Sequence, residues 1–350
     1  PRTISDLPSV PRSDDSGPQL LLNWMLSPAS RPHAPQHNML SRTLITALAW
    51  SSLALTSAFA AEVKIVDDGE KAVVTIDGQP FTEYRYSGYA KPILYPVYGP
   101  GQKPMTRNYP MVKGIDNEAT DHPHHKSIWY THDEVGGIRF WMEDAEGKSS
   151  KNVGTQVQTS LKIDGNRIIA QNDWKSADGE TVCSDQRTLT FGTAGDSRFI
   201  DYEVTWIASS GELVIGDTKE GTMGIRTHPR LRLKEAPNRG NHTAGGHSIN
   251  SEGVKDREMW GKRAAWVDYW GEIDGQVTGV AIFDHPQNLR HPTWWHARDY
   301  GLVAATPFGV NHFEGKPDGT GDMTLKAGET MTFRYRFLLH PGDAASANIA

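Results

Sequence analysis

One cysteine in 350 residues, Cys183, leaves no partner for an intramolecular disulfide and no thiolate set for a zinc or iron–sulfur site. Positive charge is also short. The 36 Lys and Arg stand against 42 Asp and Glu, a net charge of −6, whereas nucleic-acid binders concentrate basic charge on one face. Nucleic acid is therefore excluded as a partner. No stretch repeats apolar residues at the three-, four- and seven-residue spacing of an amphipathic helix. Beyond residue 60 no apolar run is long enough to cross a bilayer as a helix. The nucleophile elbow G-x-S-x-G and the dinucleotide glycine fingerprint are both missing, and Gly147-Lys148-Ser149 lacks the upstream glycine of a phosphate-binding loop. No motif requires a bound cofactor.

The first sixty residues read as leader rather than fold. Residues 1–38 are rich in Pro and Ser without a period, and Met39 is followed by Arg42, an apolar stretch and Ala58-Phe59-Ala60. That is the three-part pattern of a secretory signal peptide with a small-residue cleavage site. The expectation is a start at Met39, with residues 1–38 an upstream or disordered segment. Residues 39–60 are then a signal peptide, and residues 61–350 a single domain in the periplasm or secreted. The alternative is an uncleaved anchor behind a disordered extension.

What is abundant points to β structure: 34 Gly and 11 Trp, and alternating segments broken by Asp-Gly turns. Strands are predicted at 63–66, 72–76, 81–86, 155–163, 167–174, 181–191, 198–207, 264–269, 279–283 and 330–339. Successive strands without intervening helices predict an all-β fold, one large antiparallel β-sandwich. Residues 91–135, 217–262 and 284–300 lack a clear period, and long irregular connections of that kind are usually functional loops.

Those stretches hold the unusual residues. Asp121-His122-Pro123-His124-His125, followed by Trp129, Tyr130 and His132, packs imidazoles closely enough for proton transfer, a sugar-binding rim or metal ligation. Asp284-His285-Pro286, then His291, Trp294, Trp295, His296 and Asp299, repeats part of that pattern: His125, Trp129 and Asp133 match His291, Trp295 and Asp299 in spacing. Related halves would place two such corners on one cleft. A third group contains Asp217, Lys219, Glu220, Arg226, Asn250 and Glu252. Glu220 and Glu252, each beside a glycine, are the carboxylates best suited to acid–base work. The plainer reading for Asp217, Lys219, Lys262 and Arg263 is an ion-pair network that holds loops.

The segments DHPHHKSIWYTHDEVGGIRFW, GDTKEGTMGIR, INSEG, WGKRAAWVDYWG and FDHPQNLRHPTWWHARDYGLVAATPFG together resemble a bacterial exported family labelled "methane oxygenase PmoA", over roughly residues 62–343. A membrane mono-oxygenase subunit needs several spanning helices, so the label does not describe this chain's chemistry. The resemblance implies a β-sandwich similar to the galactose mutarotase-like supersandwich, in proteins often met beside carbohydrate use.

These residues together predict a carbohydrate-active protein, expected to be an enzyme that cleaves a glycosidic bond or moves protons on a sugar ring: a glycoside hydrolase, lyase or epimerase-like activity. His122, His124, His125, Glu220, Glu252 and His296 are the expected catalytic groups. His132, Asp217, Lys219, Arg226, Asn250, His291, Trp294, Trp295 and Asp299 are the expected substrate-binding groups. The alternatives are a non-catalytic glycan-binding module and a divalent-metal-dependent hydrolase or lyase built on the His cluster.

Overall fold

A computed structural model describes residues 61–115, 118–143, 152–233 and 244–349; the expected leader and signal peptide lie outside them. In chain order the first strands are β1 (Val63–Asp67), β2 (Lys71–Ile76), β3 (Gln79–Arg85), β4 (Ile93–Val97), β5 (Ile128–His132), β6 (Glu134–Val135) and β7 (Ile138–Arg139). The middle of the chain supplies β8 (Thr155–Asp164), β9 (Arg167–Lys175), β10 (Thr181–Ala194), β11 (Ser197–Ile207), β12 (Leu213–Ile215), β13 (Gly221–Arg226) and β14 (His247–Asn250). The last are β15 (Arg263–Ala264), β16 (Trp266–Ile273), β17 (Gln276–Asp284), β18 (Thr293–Trp295), β19 (Leu302–Thr306), β20 (Met323–Leu325) and β21 (Thr330–Pro341). A short helix, α1 (Val310–Glu314), follows β19.

Two large sheets result, with neighbours antiparallel throughout. One runs β1-β2-β3-β4-β5-β13-β19-β18-β15, the other β14-β16-β17-β21-β11-β10-β9-β8, and a small sheet joins β20, β12, β6 and β7. The β8–β9 and β10–β11 hairpins are long because their sequences alternate: in β11, Ile200, Tyr202, Val204 and Trp206 are buried and their neighbours are not. Those inward side chains meet the other sheet face to face. Tyr130 of β5 stacks on Tyr202, its ring centroid 6.4 Å away, and lies 5.7 Å from Trp206; Phe81 of β3 meets Phe191 of β10 edge-on at 6.0 Å. The expected antiparallel β-sandwich is the observed fold.

The nine-stranded sheet is also covered on its other face. Ile93, Tyr95, Trp129, Trp141, Leu302 and Ala304 form a second apolar cluster there, with Tyr89, Met111, Met142 and Tyr300 at its margin. Every residue of β5, β13 and β19 is consequently buried. The cover comes from connections that carry Tyr89, Met111, Trp141, Met142 and Tyr300, and the functional side chains stand beside it.

Candidate functional site

The site is organised around one carboxylate. Arg107 and Arg226 lie on adjoining backbone, with the Arg107 amide donating to the Arg226 carbonyl at 3.1 Å. Both guanidiniums are almost fully buried, so they need an anion between them. Asp121 supplies it: Oδ1 accepts from Arg107 Nη1 and from Arg226 Nη2, each at 2.8 Å. Arg107 also donates to the carbonyls of Ala119, Asp121, His122 and His125, which shapes the whole 119–125 loop around its fork.

The second oxygen of Asp121 faces His122, whose Nδ1 lies 2.8 Å from Oδ2. Burial alone would raise the Asp121 carboxyl, but the His122 hydrogen bond and the two guanidiniums outweigh it and hold the group far below the ordinary carboxylate range. An ionised Asp121 can only accept, so Nδ1 of His122 carries the proton and Nε2 is the acceptor. His122 has φ 46°, in the left-handed region, and its side chain is 43% exposed. The loop thus holds one oriented imidazole at the surface.

His125 and His124 complete the loop differently. Arg226 Nη1 donates to His125 Nδ1 at 3.2 Å, which puts the proton on Nε2. The His125 ring stacks on His122 at 4.8 Å and on Trp129 at 5.4 Å. Burial first, then His124 and Arg226, holds His125 well below its usual value. His124 is lowered to about 2 by burial and by Lys91, His122 and Lys126. Lys91 and Lys126 both pair with Glu143 beneath it. The His122 and His125 planes are only 3° apart, so their in-plane lone pairs run side by side instead of converging on one point. Among the described residues no group of three or more His, Cys, Asp and Glu side chains is placed to hold a metal ion.

The second part of the site comes from the β18–β19 hairpin. His296 exchanges both backbone hydrogen bonds with Ala304, and Arg298 receives the chain back through its amide to the Leu302 carbonyl. His296 and Arg298 are two apart and share a face, and Tyr300 sits at the tip. His296 Nδ1 donates to the Lys219 carbonyl at 2.9 Å and lies 3.9 Å from Glu220 Oε2. Burial lowers His296 to about 4 despite Glu220, leaving Nε2 an acceptor. Lys219 Nζ pairs with Glu220 Oε1 at 2.7 Å. Trp260, 36% exposed, stands edge-on to Phe313 at 5.3 Å and to His296 at 6.4 Å.

Tyr300 joins the two parts. Its ring stacks on His122 at 5.2 Å, and the guanidiniums of Arg226 and Arg298 lie 4.6 and 5.6 Å from its centroid. Burial raises its hydroxyl, the two guanidiniums oppose that, and Glu220 and Asp121 both add to it. One face therefore carries His122, His124, His125, Arg226, Lys219, Glu220 and His296 of the expected residues. Arg107, Asp121, Trp260, Arg298 and Tyr300 were not among those expected. Asp121 stood within the His motif. Arg298 and Tyr300 follow His296 at alternate positions, a signal visible only once that segment is read as a strand.

The other expected residues lie elsewhere. His132 points between the sheets, 5.0 Å from Phe308 and 6.1 Å from Trp206, with Nε2 on the Gly216 carbonyl. Trp295 is fully buried, its Nε1 donating to the Ala264 carbonyl. Trp294 lies under the Arg263 guanidinium at 4.5 Å. His291 faces the buried Asp284 at 2.7 Å. Asp217 accepts from the amides of Asn311 and Gly321, and Asn250 from those of Glu252 and Val254. Glu252 is an exposed turn residue bonded to Ser251, and Asp299 pairs with Arg257 at 3.4 Å. Matching spacing does not produce matching corners: Trp129 and Trp295 face opposite layers, and His125 and His291 bind different partners.

Residues 71–350 match the family described as "Family of unknown function (DUF6807)", and the chain belongs to it. No curated protein matches the sequence. Among solved structures, a galactose mutarotase-like protein from Clostridium acetobutylicum aligns over 81% of this chain and 99% of its own, with 10% identity and a TM-score of 0.38. A galactose mutarotase related enzyme from Lactobacillus acidophilus aligns over 79% and 97%, with 8% identity and a TM-score of 0.34. An alpha-galactosidase from Lactobacillus brevis aligns over 81% of this chain and 39% of its own, with 9% identity and a TM-score of 0.33.

Proposed function

We propose that this protein is an exported enzyme that moves protons on a carbohydrate, either at a ring carbon or hydroxyl or at a glycosidic oxygen. The observation that carries this reading is the Asp121–His122 pair. Two buried arginines fix the carboxylate, the carboxylate fixes the tautomer, and the imidazole is left open to solvent. A structural histidine needs no such apparatus. Asp121 stabilises the imidazolium when Nε2 takes a proton, so His122 serves as base in one direction and acid in the other. Glu220, 22% exposed and beside His296, is the second proton-transfer group. Trp260, 36% exposed, offers ring surface of the kind that holds a pyranose.

The test is turnover of a panel of mono- and oligosaccharides, followed by NMR for exchange at ring carbons and for released reducing ends. His122→Asn and Glu220→Gln are each expected to lower kcat about 10²–10⁴-fold, and Trp260→Ala to raise KM with a smaller effect on kcat. Full activity in both acid–base variants overturns the assignment. Binding without turnover, insensitive to both, favours the glycan-binding module. Export is tested separately: expression from Met39 should give a protein whose N-terminal sequence begins at Ala61, and retention of residues 39–60 would refute it.

A further inference from the structure

Among the described residues, Arg298 is the guanidinium of the site that meets only rings. Arg107 and Arg226 are committed to Asp121, Lys91 and Lys126 to Glu143, and Lys219 to Glu220. Arg298, by contrast, has no carboxylate or carbonyl partner for its side chain among the described residues. It has rings instead: its guanidinium lies 6.0 Å from the Trp260 centroid and 5.6 Å from that of Tyr300. Cation–ring contacts of this kind hold the guanidinium in place without using its N–H groups. It is also central, since His296 precedes it by two positions on the same face and Tyr300 carries His122 on its ring.

The other charges around it have partners. Arg107 and Arg226 lie against Asp121 and feel the charge of Glu118, Lys219 pairs with Glu220, and burial keeps His124, His125 and His296 neutral. Among the described residues this leaves the Arg298 guanidinium as the site cation without a paired carboxylate. A guanidinium flanked by two aromatic rings suits a planar anion on a ring-shaped ligand.

We propose that Arg298 is a specificity-determining residue that binds the carboxylate of an acidic sugar, so that the substrate class is a uronate-containing carbohydrate. This rests on the carbohydrate reading of the site above, but not on its acid–base assignment. The experiment compares glucuronate, galacturonate and mannuronate with their methyl esters, and with glucose 6-sulfate, by calorimetry on the unmodified protein. At least one uronate is expected to bind ten-fold or more tightly than its ester, and more tightly than the sulfate. Arg298→Gln should collapse that acid-to-ester ratio towards one, and Arg298→Lys should restore part of it. Equal affinity for acid and ester, binding of the sulfate alone, or no uronate binding at all overturns the proposal. A ratio untouched by Arg298→Gln does so too. Selective uronate binding with no turnover sinks the enzymatic reading and leaves this one standing; turnover confined to neutral sugars does the reverse.

Discussion

At the scale of single residues, charge placement decides what the site can do and when it fails. Asp121→Asn would leave Arg107 and Arg226 without their shared anion. Breaking a buried pair costs about 3–5 kcal/mol, and the partial exposure of Asp121 brings the expected loss to roughly 2 kcal/mol. Turnover should fall further than stability, because His122 also loses its tautomer lock. Urea unfolding and kcat measured on the same sample separate the two effects.

The buried histidines set a different limit. In an unfolded chain an imidazole titrates near about 6.5, whereas burial lowers His132 and His296 to about 4. Between those values the unfolded chain binds more protons, so their full contribution exists above about pH 6.5 and is lost as the pH falls towards about 4. Asp121 acts in a lower window: its depressed carboxyl contributes above the unfolded value of about 3.9 and fails only below it. The unfolding free energy should therefore slope downwards between about pH 6.5 and 4. His132→Gln should flatten that slope, by on the order of 3 kcal/mol across the window. A slope the same in both proteins would show that His132 is not held neutral.

At the scale of elements, legibility followed exposure. The β8–β9 hairpin is readable to within a residue at each end, because β9 alternates between buried and more open positions and an Asp164-Gly165-Asn166 turn joins the strands. The central strands β5, β13 and β19 fell inside or beside stretches that look irregular, since burial on both sides erases the period of two. The site was half legible for the same reason. The His motif is conspicuous by composition, but Arg298 and Tyr300 depend on a hairpin whose strands do not announce themselves. Glu252 looked equivalent to Glu220 in sequence, each beside a glycine, and only the fold distinguishes an exposed turn from the site.

Gly224 shows how tightly those central strands are fitted. A Cβ there would stand 2.8 Å from the Trp129 ring, and Trp129 carries His125 on its other contacts. Gly224→Ala should cost about 1–3 kcal/mol through overpacking and shift the Trp fluorescence of the folded protein. Adding Trp129→Phe should recover part of the stability, and additive losses in the double variant would contradict the contact.

At the scale of the whole molecule, the two sheets are joined by polarity as well as by rings. Asp185 and Arg187, both fully buried on β10, form a bidentate pair. Asn172 and Trp174 donate to Asp185, and Arg187 reaches Tyr202 and Gln156. Gln156 in turn donates to the Tyr130 carbonyl of the opposite sheet at 3.2 Å. Arg187→Met alone should cost about 3–5 kcal/mol, whereas Arg187→Met with Asp185→Leu should return most of it. Denaturant midpoints for the two singles and the double decide this.

The double covering of β13 has a consequence for time as well as for stability. A strand with neighbours on both edges and packed layers on both sides cannot open by fraying, so its amides can exchange with solvent only when the entire sandwich comes apart. Ile225 and Arg226 should therefore exchange deuterium at the rate of global unfolding, while the turn around Glu252 and Gly253 exchanges many orders sooner. Asp121 is bonded to Arg226, so the Asp121–His122 pair is anchored to the strand expected to open last.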